Sequence, residues 1–184
     1  DIVAPSQITT QWLKNHKEIQ IRNIKLLYVG RIKKEKGIYS LLEIIKDSKI
    51  SFSLSIVGAE KNSSNLIAQN NVHVYEVENN EQNLINLYDD HNIFILPSYT
   101  EGHPMVLLEA LSRLRPVIIF KDIEHVIGDK KGIFVAERNS DSFFKTINLI
   151  KENYNNIQQE MKKNKLPTKK EFLKKISELI SKIN

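Results

Sequence analysis

Six short runs rich in Ile, Val and Leu recur along the chain, at residues 25–30, 52–58, 72–77, 93–97, 116–120 and 132–136. Their apolar residues follow one another directly instead of alternating with polar ones, so both faces of any strand they form must be covered. Helix-length stretches lie between them. Residues 37–45 carry Ile38, Leu41, Leu42 and Ile45 at helical spacing, 80–88 carry Leu84, Ile85 and Leu87, and 105–114 carry Val106, Leu107, Ala110, Leu111 and Leu114. This alternation predicts a doubly wound, Rossmann-like α/β domain: a parallel sheet of about six strands with helices on both faces. Ligands of such sheets bind beyond the carboxyl ends of the strands, so the residues that follow each run are the first candidates for function.

The remaining features narrow the class. A length of 184 residues fits one domain, or one domain and a fragment of another. The absence of cysteine removes disulfides, thiolate metal sites and a cysteine nucleophile, and it fits a reducing compartment. No apolar run approaches the roughly 20 residues of a membrane span, and the first residues lack the pattern of a signal peptide. A first residue other than Met suggests a piece of a longer chain. Residues 1–150 hold 18 basic and 18 acidic side chains, whereas residues 151–184 hold 9 and 4, so the whole net charge of +5 sits in the tail. A neutral body argues against a nucleic-acid partner. A cytoplasmic location is expected, with peripheral contact at the inner face of a membrane as an option through the tail.

At the start, residues 2–6 read as a short strand running into a helix, with Ser6 as N-cap and Ile8, Trp12 and Leu13 on one face. Residues 15–23 read as a linker. At the end, 142–154, 156–163 and 169–183 read as helices, with Pro167 separating the last two. The final helix aligns Phe172, Leu173, Ile176, Leu179, Ile180 and Ile183 on one stripe with lysines opposite. Such a helix packs on its own or a neighbouring domain, or lies on an anionic surface.

The most informative segment runs from Pro97 and Ser98 through Tyr99, Thr100, Glu101, Gly102, His103 and Pro104 into Met105, Val106 and Leu107, and on to Glu109. A buried strand ends, a polar loop follows, and a helix begins near Pro104, a residue suited to a first helical turn. The free amides of that turn suit a phosphate or diphosphate, and Gly102 admits close backbone approach. Glu101 and Glu109 bracket the site. Carboxylates would repel phosphates, so they make sense as acceptors for hydroxyl groups further out on the ligand, as on the two sides of a nucleotide sugar. The bland alternative makes Glu101 a favourable charge at the helix start and Glu109 an exposed residue. Against it, Glu109 interrupts an otherwise apolar helix.

A second segment, from Gly30 through Arg31 to Lys36 and Gly37, follows the first strand and opens a helix. Arg31 and Lys36 can neutralise a diphosphate, the former as a planar fork and the latter as a compact charge. Lys33 and Lys34 read as surface residues.

Together, Gly30-Arg31 with Lys36-Gly37, Ile56-Val57-Gly58, Leu96-Pro97-Ser98 with Glu101-Gly102 and Glu109-Ala110, and Pro116-Val117-Ile118 resemble the donor-binding half of retaining family 4 glycosyltransferases, the glycosyl transferases group 1, of the GT-B fold. The resemblance covers roughly residues 24–140. It implies that Arg31 and Lys36 grip the donor diphosphate, that Glu101 lies near the donor sugar and that Glu109 holds the ribose hydroxyls. Gly30 lies beside the basic pair, Gly102, His103 and Pro104 form the turn over the sugar, and Met105, Val106 and Leu107 place amides near the phosphates. It also implies retention of anomeric configuration, with Glu101, Arg31 and Lys36 as the catalytic set, a nucleoside diphosphate sugar as donor substrate, and neither cofactor nor metal. The partners would be that donor, a glycan or lipid-linked acceptor, and an acceptor domain outside this chain, with surface polysaccharide or lipopolysaccharide synthesis as the setting. In the same terms, residues 1–22 would be a remnant of the acceptor domain and linker, 23–150 the nucleotide-sugar domain, and 151–184 helices reaching back to the acceptor half.

The sequence departs from the pattern in places. Leu114 and Arg115 stand where a glycine is usual before Pro116, Ala59 and Glu60 follow Gly58 where a second glycine is common, and Glu76 stands where a glycine often follows the third strand. The five histidines lack metal-ligand spacing, and no nucleophile elbow, Walker loop or dinucleotide fingerprint is present. A noncatalytic nucleotide-sugar-binding module, or a membrane-surface assembly module, is the alternative from another class.

Overall fold

The computed structural model describes residues 5–17, 19, 21–46, 48, 50–59 and 70–182. Its strands are β1 (Ile24–Val29), β2 (Phe52–Ala59), β3 (Val72–Glu76), β4 (Ile93–Leu96), β5 (Val117–Phe120) and β6 (Ile133–Ala136). Its helices are α1 (Ile38–Ile45), α2 (Glu81–Asp90), α3 (Met105–Ser112), α4 (Ser140–Glu152), α5 (Tyr154–Met161) and α6 (Lys169–Ser181). All six strands are parallel, in the order β3-β2-β1-β4-β5-β6. The expected Rossmann-like sheet is therefore present.

The continuous apolar runs follow from this topology. Leu26, Tyr28, Ile93, Ile95, Ile118 and Phe120 pack on one side with Ile38 and Leu41 of α1 and Phe143 and Ile147 of α4. Their neighbours Leu27, Phe94, Leu96, Val117 and Ile119 pack on the other with Ile85 and Tyr88 of α2 and Leu107 and Leu111 of α3. Every residue of β4 and β5 is buried, as strands covered on both faces require. The chain builds outward from β1 in one direction and from β4 in the other. The crevice between their carboxyl ends is the switch point, and both segments singled out by sequence open onto it.

The start of the chain differs from expectation. Most of the expected strand at 2–6 lies outside the described residues, and the helix after it is replaced by turns at 10–13. The Ser6 hydroxyl accepts from the Ile8 amide (3.1 Å) and donates to the Pro167 carbonyl (2.6 Å), so it ties the segment to the far end of the chain. Ile8 and Trp12 have helical spacing, but what fixes them is burial in the core beside α2 and α3. Lys169 N–H donates to the Ile8 carbonyl (2.8 Å), and Trp12 Nε1 to Glu81 (2.9 Å).

Two almost fully buried arginines hold residues 12–17 against the domain. Arg113 donates to the carbonyls of Trp12 (2.9 Å), Lys14 (2.7 Å) and Asn15 (3.1 Å) and forms a forked pair with Asp89. Arg115 reaches the Lys17 carbonyl (3.1 Å), the Tyr88 carbonyl (2.8 Å) and Asp89. Between them Leu114 adopts φ 58°, which explains why glycine is usual there. Burial of the leucine side chain offsets the strain of that conformation.

At the other end, α6 starts with a capping box between Thr168 and Glu171, and none of its residues is buried. Among the described residues no helix is long and apolar enough to cross a membrane.

Candidate functional site

The loop after β1 and the loop after β4 are joined directly. Tyr99 N–H donates to the Glu35 carbonyl (3.0 Å), and Lys36 Nζ meets Glu101 Oε1 at 2.7 Å. Lys34 to Lys36 form a short 3-10 turn that ends on Gly37, whose N–H donates to the Lys34 carbonyl. Gly37 also precedes α1, with φ 68°. A Cβ at that position would lie 1.9 Å from the Pro97 carbonyl oxygen, so glycine is what lets the two loops touch. Gly58 does the same for the ends of β1 and β2, where a Cβ would lie 2.3 Å from the Gly30 carbonyl oxygen.

Glu101 is held from several sides. Besides Lys36, the buried Ser98 hydroxyl donates to Oε1 (2.6 Å), and His125 Nε2 donates to the Glu101 carbonyl (2.8 Å). Arg138 braces the strand end, donating to the carbonyls of Pro97 (2.9 Å) and Ser98 (3.3 Å) and pairing with Asp122 (2.6 Å). Its guanidinium lies 4.0 Å from the Tyr99 ring centroid and 4.4 Å from that of Phe120.

Arg31 is exposed and makes no ion pair or side-chain hydrogen bond among the described residues. Its carbonyl accepts from the Tyr28 hydroxyl (2.7 Å), which fixes the loop that carries it. Burial, reinforced by the Glu101 charge, pushes the Tyr28 phenol well above its ordinary value, so it remains a donor. Lys36 and Glu101 thus meet directly, and Arg31 stands on the same loop as Lys36, just after Gly30.

The start of α3 has Pro104 as N-cap and no side-chain cap. Leu107 N–H already donates to the Pro104 carbonyl (3.2 Å), whereas the Met105 and Val106 amides have no partner among the described residues. These two carry the positive end of the helix. Gly102 has nothing within 4 Å of where a Cβ would stand, so the turn is open to an approaching group. The His103 ring points away from it and donates through Nε2 to the Pro5 carbonyl (2.8 Å).

Glu109 is half-buried, not exposed, and accepts from the Tyr88 hydroxyl at Oε2 (2.9 Å). Burial raises its pKa, with the tyrosine hydrogen bond opposing. A carboxyl raised in the folded state contributes stability below its unfolded value, and that contribution is lost as pH rises through the folded value. Glu109→Gln is therefore expected to be more stable than the parent at pH 7, with the gap closing by pH 4. Urea midpoints at the two pH values check this, and a variant less stable at pH 7 contradicts it.

Sequence reasoning missed Ser98, His125, Arg138 and Tyr88 as partners of these groups. Arg138 had a usable signal, because it stands two residues beyond β6 at the carboxyl edge of the sheet. Among the described residues no three His, Asp or Glu side chains converge as a metal site.

A family model described as Glycosyl transferases group 1 matches residues 12–166. TuaC of Bacillus subtilis (strain 168), a glycosyltransferase assigned to teichuronic acid biosynthesis, is 38% identical over 92 residues, covering 50% of this chain and 23% of its own. The capsular polysaccharide biosynthesis glycosyltransferase CapM of Staphylococcus aureus is 28% identical over 127 residues, 63% of this chain and 33% of its own. Anabaena HepE, solved in complex with UDP-glucose, superposes with a TM-score of 0.71 at 14% identity, covering 88% of this chain and 49% of that one. The chain spans no more than about half the length of these three proteins.

Proposed function

This chain belongs to the glycosyl transferases group 1 family, and from that premise we propose that it is the donor-binding half of a retaining, family 4 glycosyltransferase. Its Rossmann-like sheet is of the GT-B kind. The observation that carries the reading is the contact between Lys36 and Glu101 across the switch point, with the exposed Arg31 on the same loop as Lys36. Cations, open amides and carboxylates gathered around the switch point suit a nucleoside diphosphate sugar, whose charge is central and whose hydroxyls are peripheral.

In this reading the diphosphate lies over the Met105 and Val106 amides. Arg31 and Lys36 stabilise the charge that develops on it as the bond from the anomeric carbon to the phosphate oxygen breaks. Glu101 accepts from the sugar and Glu109 from the ribose. The acceptor hydroxyl attacks from the face the diphosphate leaves, and its proton passes to a donor phosphate oxygen, so configuration is retained. Neither metal nor cofactor takes part. The acceptor, a glycan or lipid-linked sugar of a surface polysaccharide or lipopolysaccharide, would be held by the other half of the protein. For a lipid-linked acceptor, the proposal extends to peripheral contact at the inner face of the membrane, with the lysines of α6 as the surface. The names of TuaC and CapM support a polysaccharide setting, and the HepE complex supports a nucleotide-sugar donor.

Calorimetric titration of the protein with UDP, GDP and ADP sugars tests this. Arg31→Ala and Glu109→Ala are each expected to weaken the best donor by on the order of 10- to 100-fold, as for loss of hydrogen bonds to a charged group. Unchanged affinity in both variants means that the donor binds elsewhere.

A further inference from the structure

Tyr88 is fully buried, yet it carries a hydroxyl where packing alone would accept phenylalanine. That hydroxyl donates to Glu109 Oε2 at 2.9 Å and otherwise approaches only the Val106 carbonyl, at 3.4 Å, among the described residues. Glu109 Oε1 has no partner among them. One carboxylate oxygen is therefore anchored and the other is open. We propose that Tyr88 is a positioning residue for the donor, holding the Glu109 carboxylate in the orientation that accepts the ribose hydroxyls. This deepens the donor-site reading and rests on it.

The tyrosine is itself immobile. Its ring meets Trp12 edge-on, with centroids 5.6 Å apart, and Phe94 at 5.5 Å, while its carbonyl accepts from Arg115 Nε (2.8 Å). Two aromatic neighbours thus fix the ring that holds the carboxylate, and Arg115 fixes the backbone that carries it. A glutamate side chain loses considerable rotamer freedom when it is ordered, and a rigid donor removes that loss before the ligand arrives. A phenol also leaves the carboxylate its full charge and its second oxygen, whereas a basic partner would compete with the ribose.

The test uses Tyr88→Phe in the protein, titrated with the tightest binder among UDP, GDP and ADP, with its 2′,3′-dideoxy form, and with pyrophosphate. The nucleotide is expected to bind about 3- to 10-fold more weakly, while pyrophosphate and the dideoxy form bind as they do to the parent. In turnover, KM for the nucleotide sugar should rise with kcat unchanged. Adding Tyr88→Phe to Glu109→Gln should bring no further loss of nucleotide affinity, which keeps the test sound if the single variant folds poorly. Equal weakening of nucleotide and pyrophosphate overturns the proposal, because it marks a general packing defect. Parent-like nucleotide binding by Tyr88→Phe alongside weakened binding by Glu109→Ala overturns it too, and leaves the donor site standing. Parent-like binding by Glu109→Ala overturns it together with the assignment of the ribose carboxylate.

Discussion

Gly37→Ala is expected to lower the stability of the protein by roughly 2 to 5 kcal/mol and to abolish donor binding at ligand concentrations that saturate the parent. Two independent penalties combine. The left-handed backbone conformation costs a residue with a Cβ roughly 1–2 kcal/mol. Forcing an atom into packed surroundings adds roughly 1–3 kcal/mol, and here the obstacle is the Pro97 carbonyl, which cannot rotate aside as a side-chain tip would. Relief requires the loop after β4 to retreat from the loop after β1, which pulls Glu101 away from Lys36. Gly102→Ala is the matched control. With open space around its Cβ and no positive φ, it should leave stability nearly unchanged, so any effect on donor binding reports the crevice itself. Urea unfolding with donor titration checks both variants. A Gly37→Ala protein within 1 kcal/mol of the parent would mean that the two loops are not held in contact.

Arg113→Ala is the second large effect, expected at roughly 3 kcal/mol or slightly more. Removing the guanidinium strands the Trp12, Lys14 and Asn15 carbonyls and weakens the pairing of Asp89. Arg115 still reaches Asp89 at 3.3 Å, which keeps the estimate at the lower end for a broken buried pair. Arg113→Met with Asp89→Asn, which replaces the pair by uncharged groups, should recover part of the loss. Hydrogen exchange at residues 12–17 should quicken selectively in Arg113→Ala, while exchange in β4 and β5 tracks global stability. Loss of under 1 kcal/mol, or uniform exchange, would show that the segment is held without Arg113, by Ile8, Trp12 and the Arg115 contact.

The sheet was legible because its signal is chemical and continuous: a strand covered on both faces tolerates almost no polar residue, and the runs at 93–97 and 116–120 contain almost none. The crevice was legible in outline because cations and carboxylates follow strands whose carboxyl ends must meet. Other features were not. Ile8 and Trp12 stand four apart, and periodicity alone cannot separate a helical stripe from two anchors on an irregular segment. Leu114 and Arg115 looked like a departure from a glycine pattern and Arg113 gave no signal, whereas both arginines reach carbonyls about a hundred residues earlier in the chain. The Tyr88 hydroxyl was invisible for the same reason: its chain position says aromatic and buried, and only packing reveals the carboxylate above it.

Lys36 and Glu101 stand 65 residues apart, and that separation has a bearing on how the protein comes into being. A polypeptide emerging from the ribosome displays the basic loop long before the acidic one exists. Until β4 docks beside β1, the lysine has no carboxylate to meet and α3 has nothing to aim at. Closing so long a stretch of chain is entropically slow, so competence to hold a donor arrives late in biogenesis, and a product truncated before residue 101 would retain the cations without their counterparts.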